Sequence, residues 1–533
     1  MNREQHIAKL KQEAFDILVI GGGATGAGVA LDAASRGLKT ALVERSDFAA
    51  GTSSRSTKLI HGGVRYLENA VKHLDRTQFN LVRDALKERA VLIKIAPHLA
   101  KPIPLVTPLY NVLQVPYFLT GLKIYDWLAG KANLHSSRFV DAKEALNRFP
   151  MLKEEGLRGG VVYYDGQFDD ARMNIAIALS AADEGASVAN HVEVTSLVKE
   201  EGKLSGAELR DTLSGDEWTL NAKVIVNATG PFSDAIRHMD DPTAPKMLSA
   251  SSGAHIILDQ KFSPPETGLL IPETEDGRVL FLLPWLGHTL VGTTDDPADI
   301  QPNPKATEEE IEYILRHIRK YFSVPVERSD VRAAWSGLRP LVSDPDAADT
   351  AQLSRDHVIN ISESGLLTIA GGKWTTYRKM ALDTVTEAQK LGNLGGKPEP
   401  QTETLLLKGA KGYSPSGAAQ LQDDHGLDLD VASYLNRAYG GDADAVASIA
   451  EGGYTARLAP NHAYIEAEVL YGAREEAARS SVDILARRTR LGFLDHDATL
   501  AAIPRVSELL AGELGWDEEK VMWDREEARS YFA

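Results

Sequence analysis

The stretch FDILVIGGGATGAGVALDAASRGLKTALVERSDF, Phe15 to Phe48, decides the fold. An apolar run, Ile17 to Ile20, leads into a glycine turn; a helix of small residues follows, and a second apolar run, Thr40 to Val43, closes on Glu44. Two buried runs joined by a helix read as a βαβ unit. Gly21, Gly23 and Gly26 form G-x-G-x-x-G directly after the strand, with the acid Glu44 about 20 residues further on. The first glycine permits the tight turn, the second lets backbone approach a pyrophosphate, and the third lets helix and strand pack closely. The positive helix end then faces the phosphates, with Ala24 and Thr25 beside them, and Glu44 would accept hydrogen bonds from a ribose. NAD and FAD are not distinguished by this motif.

Further glycines mark two more strand ends. AKVIVNATGPFSD places Ala228, Thr229 and Gly230 after one buried run, and GLLTIAGGKWTTYR places Gly371 and Gly372 after another. Three such sites scattered along the chain imply an elongated cofactor held by one domain built from separated segments. Between them, helical spacing covers Leu74 to Ile95, Ala171 to Glu184, Glu308 to Phe322 and Thr375 to Leu391. Ala186 to Gly230 reads as strands and hairpin turns, and Gly253 to Gly292 as an antiparallel sheet. The proline-rich stretch Pro97 to Pro116 is expected to hold only short strands and turns. Gly392 to Glu403 has the composition of a linker, and the remainder is mostly amphipathic helix without an identifiable chemical motif.

Composition sets limits. With 533 residues, 43% apolar and 25% charged, the chain is expected to form two or three globular domains. A net charge of -17 repels a phosphate backbone, so nucleic acid is excluded as a partner and anion binding must come from local clusters. The absence of cysteine rules out disulfides, thiolate metal sites and a cysteine nucleophile, and no metal site is expected. The N-terminus is charged and lacks a secretory apolar core. Asn111 to Gly130 is rich in aromatic and aliphatic residues but is cut by Pro116, Lys123 and Asp126, so it is expected to be a buried helix or a substrate-channel wall or, at most, to lie on a bilayer surface.

STKLIHGGVRYLE, Ser56 to Glu68, gathers Lys58, His61, Arg65 and Tyr66 around Gly62 and Gly63. Together with DILVIGGGATGAG, AAGTSSRSTKLIHGG, NATGP, GTTD, WSGLRPL and GGKWTTYRKMA, it resembles the FAD-dependent glycerol-3-phosphate dehydrogenases from about Phe15 to Leu391, and the tail is similar to that family's C-terminal domain. The resemblance implies an α/β fold: a Rossmann-like FAD domain of the D-amino-acid-oxidase/glutathione-reductase type, an antiparallel β substrate domain and a C-terminal helical domain. The FAD segments are expected at about 15–90, 160–245 and 335–395, the substrate segments at 91–159 and 246–334, and the helical domain at 396–533. The implied reaction oxidises sn-glycerol 3-phosphate to dihydroxyacetone phosphate by hydride transfer from C2 to flavin N5, with electrons passing to a membrane quinone. A cytoplasmic protein, peripheral on the inner face of the cell membrane, is expected; for the tail, dimerisation or a cover over the substrate domain are the roles considered.

By the same resemblance, Thr52, Ser53, Ser56, Lys58, Leu59, His61 and Gly62 run along the cofactor, joined by Val194, Trp374 and Thr375. For His61, a hydrogen bond to the ring, packing and a covalent flavin link are the alternatives, and noncovalent contact is adopted. Arg65, Tyr66, Arg355 and Lys373 are expected at the substrate, where arginine's planar fork suits phosphate oxygens. Arginine keeps its proton, so Arg339 is read as an electrostatic stabiliser and His255 as the general base. The family commonly carries lysine where this chain has Ser252, and leucine where it has Trp374. Rival readings are an oxidase that makes hydrogen peroxide, an amine or amino-acid oxidase of the same superfamily, and a flavin-binding protein without catalytic activity.

Overall fold

The computed structural model describes the chain except residues 65, 66, 68–74, 343–356, 396–398 and 400. The βαβ unit seeds the first sheet. Phe15–Ile20 pairs in parallel with Thr40–Val43 on one side and with the end of Glu217–Asn227 on the other. Ser187–Ala189 and Leu366–Gly371 extend the parallel order outward, and His357–Ile361 closes one edge antiparallel. Helices Ala24–Ser35, Asp170–Asp183 and Tyr377–Leu391 cover one face through an apolar cluster that includes Ala27, Ala30, Ile177, Met380 and Val385. The small residues of the first helix are what allow this: a Cβ on Gly28 would lie 2.7 Å from the Tyr377 ring. The hairpin Val192–Glu200 with Lys203–Asp211 covers the other face.

The second sheet is mixed. Leu248–Asp259 lies between Val331–Val342 and His288–Gly292, and the order continues through Leu280–Trp285, Gly268–Ile271, Ala100–Leu109 and Gly159–Phe168 to Leu59–Ile60. Only Gly268–Ile271 with Ala100–Leu109 is parallel among these pairs. Leu59–Ile60 and Gly159–Phe168, expected in the FAD segments, therefore bond into this sheet, and Val331–Val342 runs along Leu248–Asp259.

The proline-rich stretch departs from expectation: Ala100–Leu109 is a ten-residue strand paired along its length with Gly159–Phe168. Pro102, Pro104 and Pro108 share one parity, so their missing N–H groups all point to the same edge and leave the ladder on the other edge intact. Asn111 to Gly130 forms the helix Gln114–Ala129, with Pro116 in the first turn, where an N–H has no intrahelical partner. This helix is only partly buried. Among the described residues no helix is long and apolar enough to cross a membrane. The charged N-terminus forms a further helix, Arg3–Gln12, capped by Asn2.

The tail is helical from Gly417 to Phe532, and its apolar core merges with one face of the second sheet, where Phe493 packs edge-on against Trp335 at 5.2 Å.

Candidate active site

The glycine turn is built from backbone. Gly21 has φ +108° and donates its N–H to the Val43 carbonyl at 2.8 Å. A Cβ there would lie 2.7 Å from the Ala228 oxygen, and one on Gly26 would lie 1.8 Å from the Gly21 oxygen. Glu44 accepts the Gly22 N–H at 2.7 Å with one oxygen and the Ser46 N–H at 2.9 Å with the other. Burial pushes its carboxyl up, and those two N–H groups oppose the shift. Gly23 precedes helix Ala24–Ser35 without a side-chain cap, and Ser53 Oγ accepts the Ala24 N–H at 2.9 Å.

These elements wall a cleft of about 350 Å³ at the carboxyl ends of the parallel strands. Gly21, Gly23, Ala24, Thr25 and Glu44 line it from the turn. Thr52, Ser53 and Val194 line one side, and Ala228, Thr229 and Gly230 line the neighbouring strand end. Gly371, Gly372, Lys373 and Trp374 complete the wall. Gly371 and Gly372 have φ +76° and +77°, conformations that favour glycine. Thr52 Oγ1 donates to the Leu338 carbonyl at 2.6 Å, and Trp374 Nε1 donates to the Ser53 carbonyl at 2.9 Å, which ties the strand Val331–Val342 and the 371–374 turn to the same loop.

The remaining sequence-derived cofactor residues, Ser56, Lys58, Leu59, His61, Gly62 and Thr375, are not among those lining this cleft. Ser56 donates through its N–H and hydroxyl to Asp170. Lys58 is fully buried, donating from Nζ to Asp170 at 2.7 Å and to the Ser54 carbonyl at 2.8 Å, with burial pushing it down to about 7. Leu59 pairs with Gln167 in the second sheet. The His61 N–H donates to Thr375 Oγ1 at 3.2 Å, and the His61 ring meets Phe281 edge-on. The Gly62 N–H donates to the Tyr125 hydroxyl at 2.7 Å, which in turn donates to Asp165.

His255 and Arg339 sit on adjacent strands of the second sheet. The His255 ring is buried and stacked on Trp335 at 4.2 Å, with Nε2 2.9 Å from Thr57 Oγ1. Burial holds its pKa well below the ordinary imidazole value, and the charges of Lys58 and Arg339 push the same way. Arg339 donates to Asp295 at 2.9 Å, to Thr293 Oγ1 at 3.1 Å and to the Thr294 carbonyl at 2.9 Å. A Cβ on Gly253 would lie 2.4 Å from its guanidinium. Arg65, Tyr66 and Arg355 lie outside the described residues.

The fold adds partners that the sequence reading did not single out. Asp295 closes the GTTD stretch and Trp335 opens WSGLRPL, so both stood inside recognisable motifs. Thr57 lies between two residues that were named. Asp170 and the tail arginines 487, 488 and 490 carried no signal, because nothing local reveals that these charges are buried. Ser252 hydrogen-bonds the Ser336 hydroxyl.

The family model described as FAD dependent oxidoreductase matches residues 16–378, and that of the C-terminal domain of alpha-glycerophosphate oxidase matches residues 400–521. The mitochondrial glycerol-3-phosphate dehydrogenase of Macaca fascicularis is 51% identical, over 99% of this chain and 75% of its own length. The glycerol-3-phosphate dehydrogenase of Bacillus halodurans, solved with FAD, superposes with a TM-score of 0.80 at 32% identity, over 99% of this chain and 97% of that one. L-alpha-glycerophosphate oxidase of Mycoplasma pneumoniae, solved with FAD bound, gives a TM-score of 0.56 at 17% identity over 73% of this chain and 97% of that one, a likeness of fold alone.

Proposed function

The chain belongs to the FAD-dependent glycerol-3-phosphate dehydrogenases, and from that premise we propose that it oxidises sn-glycerol 3-phosphate at C2 to dihydroxyacetone phosphate and delivers the electrons to a membrane quinone. The observation that carries this reading is that one cleft is walled at once by the glycine turn, by Thr52 and Ser53, and by Gly371 to Trp374. The group fits on the chain's own terms: the turn is too tight for any Cβ at Gly21 or Gly26, and helix Ala24–Ser35 points its positive end at the cleft. Gly21, Gly23, Glu44, Thr229 and Gly371 would hold the dinucleotide, and when bound FAD supplies the acceptor for the two electrons leaving C2 as a hydride.

His255 takes the C2 hydroxyl proton. Its depressed pKa keeps the imidazole neutral at pH 7, the form a base requires, while Thr57 fixes Nε2. Arg339 stabilises the developing alkoxide; Asp295, Thr293 and Thr294 already hold the guanidinium, so no reorganisation accompanies the reaction. Lys373 supplies a further cation at the cleft, and the motif assigns Arg65, Tyr66 and Arg355 to the substrate.

Quinone delivery needs an apolar surface. Val112 and Leu113, just before the helix Gln114–Ala129, and Trp127 within it are 61%, 81% and 73% exposed, apolar surface suited to peripheral contact with a bilayer. A second reading, an oxidase that reduces oxygen to peroxide, is favoured by the name of the family model matching the tail. Anaerobic mixing with glycerol 3-phosphate is expected to bleach the yellow flavin band. Reoxidation by a quinone analogue without peroxide supports the dehydrogenase, peroxide on admitting air supports the oxidase, and an unbleached band overturns both.

A further inference from the structure

The helical tail, for which the sequence offered no chemistry, grips the wall of the cofactor cleft. Residues 47–54 form the loop that brings Ala50, Gly51, Thr52 and Ser53 to that wall, and its Ala49 N–H donates to the Gly22 carbonyl of the glycine turn at 3.2 Å. Tail arginines hold both ends. At the first, Arg487 Nε and Arg488 Nη1 donate to Asp47 at 2.5 and 2.7 Å. At the other, Arg490 Nη2 donates to the Ser54 carbonyl at 2.7 Å and to Asp170 at 3.1 Å.

These are not surface pairs. Asp47, Asp170, Arg488 and Arg490 are fully buried, and a charge stripped of water keeps its place only if its partner stays. The backbone is shaped to present them: Asp483–Arg488 is a single π-helical stretch, and Arg490 takes φ +68°, a conformation arginine adopts under constraint. Removing the tail from the cleft would leave Asp47 with only the Asn190 amide, at 2.9 Å, among its side-chain partners in the described residues.

We propose that Arg487, Arg488 and Arg490 are positioning residues for FAD, fixing the 47–54 loop so that cofactor affinity is coupled to docking of the tail. The inference rests on the cleft being the FAD site. Because coupling is reciprocal, FAD must strengthen tail docking by the same factor by which the docked tail strengthens FAD binding.

The test titrates apo-protein with FAD, following quenching of flavin fluorescence, for the wild type, Arg490→Lys, Arg488→Lys and the control Arg505→Lys. Lysine keeps the charge but lacks the fork that spans two acceptors. Arg505 pairs with Glu466 inside the tail, away from the loop, at 2.7 and 2.9 Å. Tenfold or weaker FAD binding is expected in the first two variants, with the control unchanged. Hydrogen exchange on the wild type is the second arm, and decides alone if the clamp variants do not fold: FAD should slow exchange of the 483–490 amides. Wild-type affinity in both clamp variants, equal loss in the control, or exchange in 483–490 indifferent to FAD overturns the proposal. Failure of the wild type itself to bind FAD would instead strike at the assignment of the cleft.

Discussion

The cofactor turn and the His255–Arg339 corner are built on opposite principles. At the turn, construction belongs to backbone: absent side chains make room, the Gly21, Gly22 and Ala24 N–H groups are held by Val43, Glu44 and Ser53, and one helix end borders the cleft. At the corner it belongs to side chains, each tied by a partner from another strand or loop, Thr57 for His255 and Asp295 for Arg339. Added volume at the glycines breaks the first, and loss of a side-chain partner breaks the second, so substitutions should separate cofactor loss from catalytic loss.

Gly26→Ala should have the largest effect, since its Cβ would sit 1.8 Å from the Gly21 oxygen and backbone must move. Purified protein should be colourless, with FAD affinity down by more than about a hundredfold, some 3 kcal/mol. His255→Gln should do the opposite, leaving the flavin spectrum intact while kcat falls by roughly 10²- to 10⁴-fold and loses its acid limb. Arg339→Lys should keep FAD and lower kcat/KM by about 10²-fold, because one ammonium cannot hold Asp295, Thr293 and Thr294 together. A colourless His255 or Arg339 variant that still folds would erase the distinction between the two regions.

What the sequence disclosed follows the same division. The turn was legible because its chemistry is contiguous: strand, glycines, helix and acid fall within Phe15 to Glu44. The corner was legible only through motifs, since Thr57 and His255 meet across 198 positions of chain. The strand Ala100–Leu109 was missed because proline counts against strands unless its parity with respect to a partner is known. The arginine clamp was missed because arginine in a helix normally marks solvent, and nothing near residue 488 announces that Asp47 lies against it.

Two smaller effects sharpen the boundary between the regions. Trp374→Phe keeps an aromatic ring, though a smaller one, and removes the donor to the Ser53 carbonyl, which should weaken FAD by roughly fivefold, about 1 kcal/mol, in a fluorescence titration. Lys58, paired with Asp170 and 4.5 Å from the Trp335 ring, is pushed down to about 7 from an ordinary 10.5. As pH falls from 10.5 to 7 the unfolded chain takes up this proton and the folded chain does not, so its contribution to stability rises with pH across that window. Lys58→Met should therefore flatten part of the rise in Tm between pH 7 and 9, compared with the wild type under the same buffer series.

The central claim is that the cleft and the basic corner act on one carbon of one phosphorylated substrate. Stopped-flow bleaching of the flavin under anaerobic conditions, with glycerol 3-phosphate carrying deuterium at C2, tests it most directly. Slower bleaching than with the protiated substrate, and none with unphosphorylated glycerol, is the predicted result. Bleaching that ignores the deuterium, or proceeds equally well with glycerol, would contradict the account.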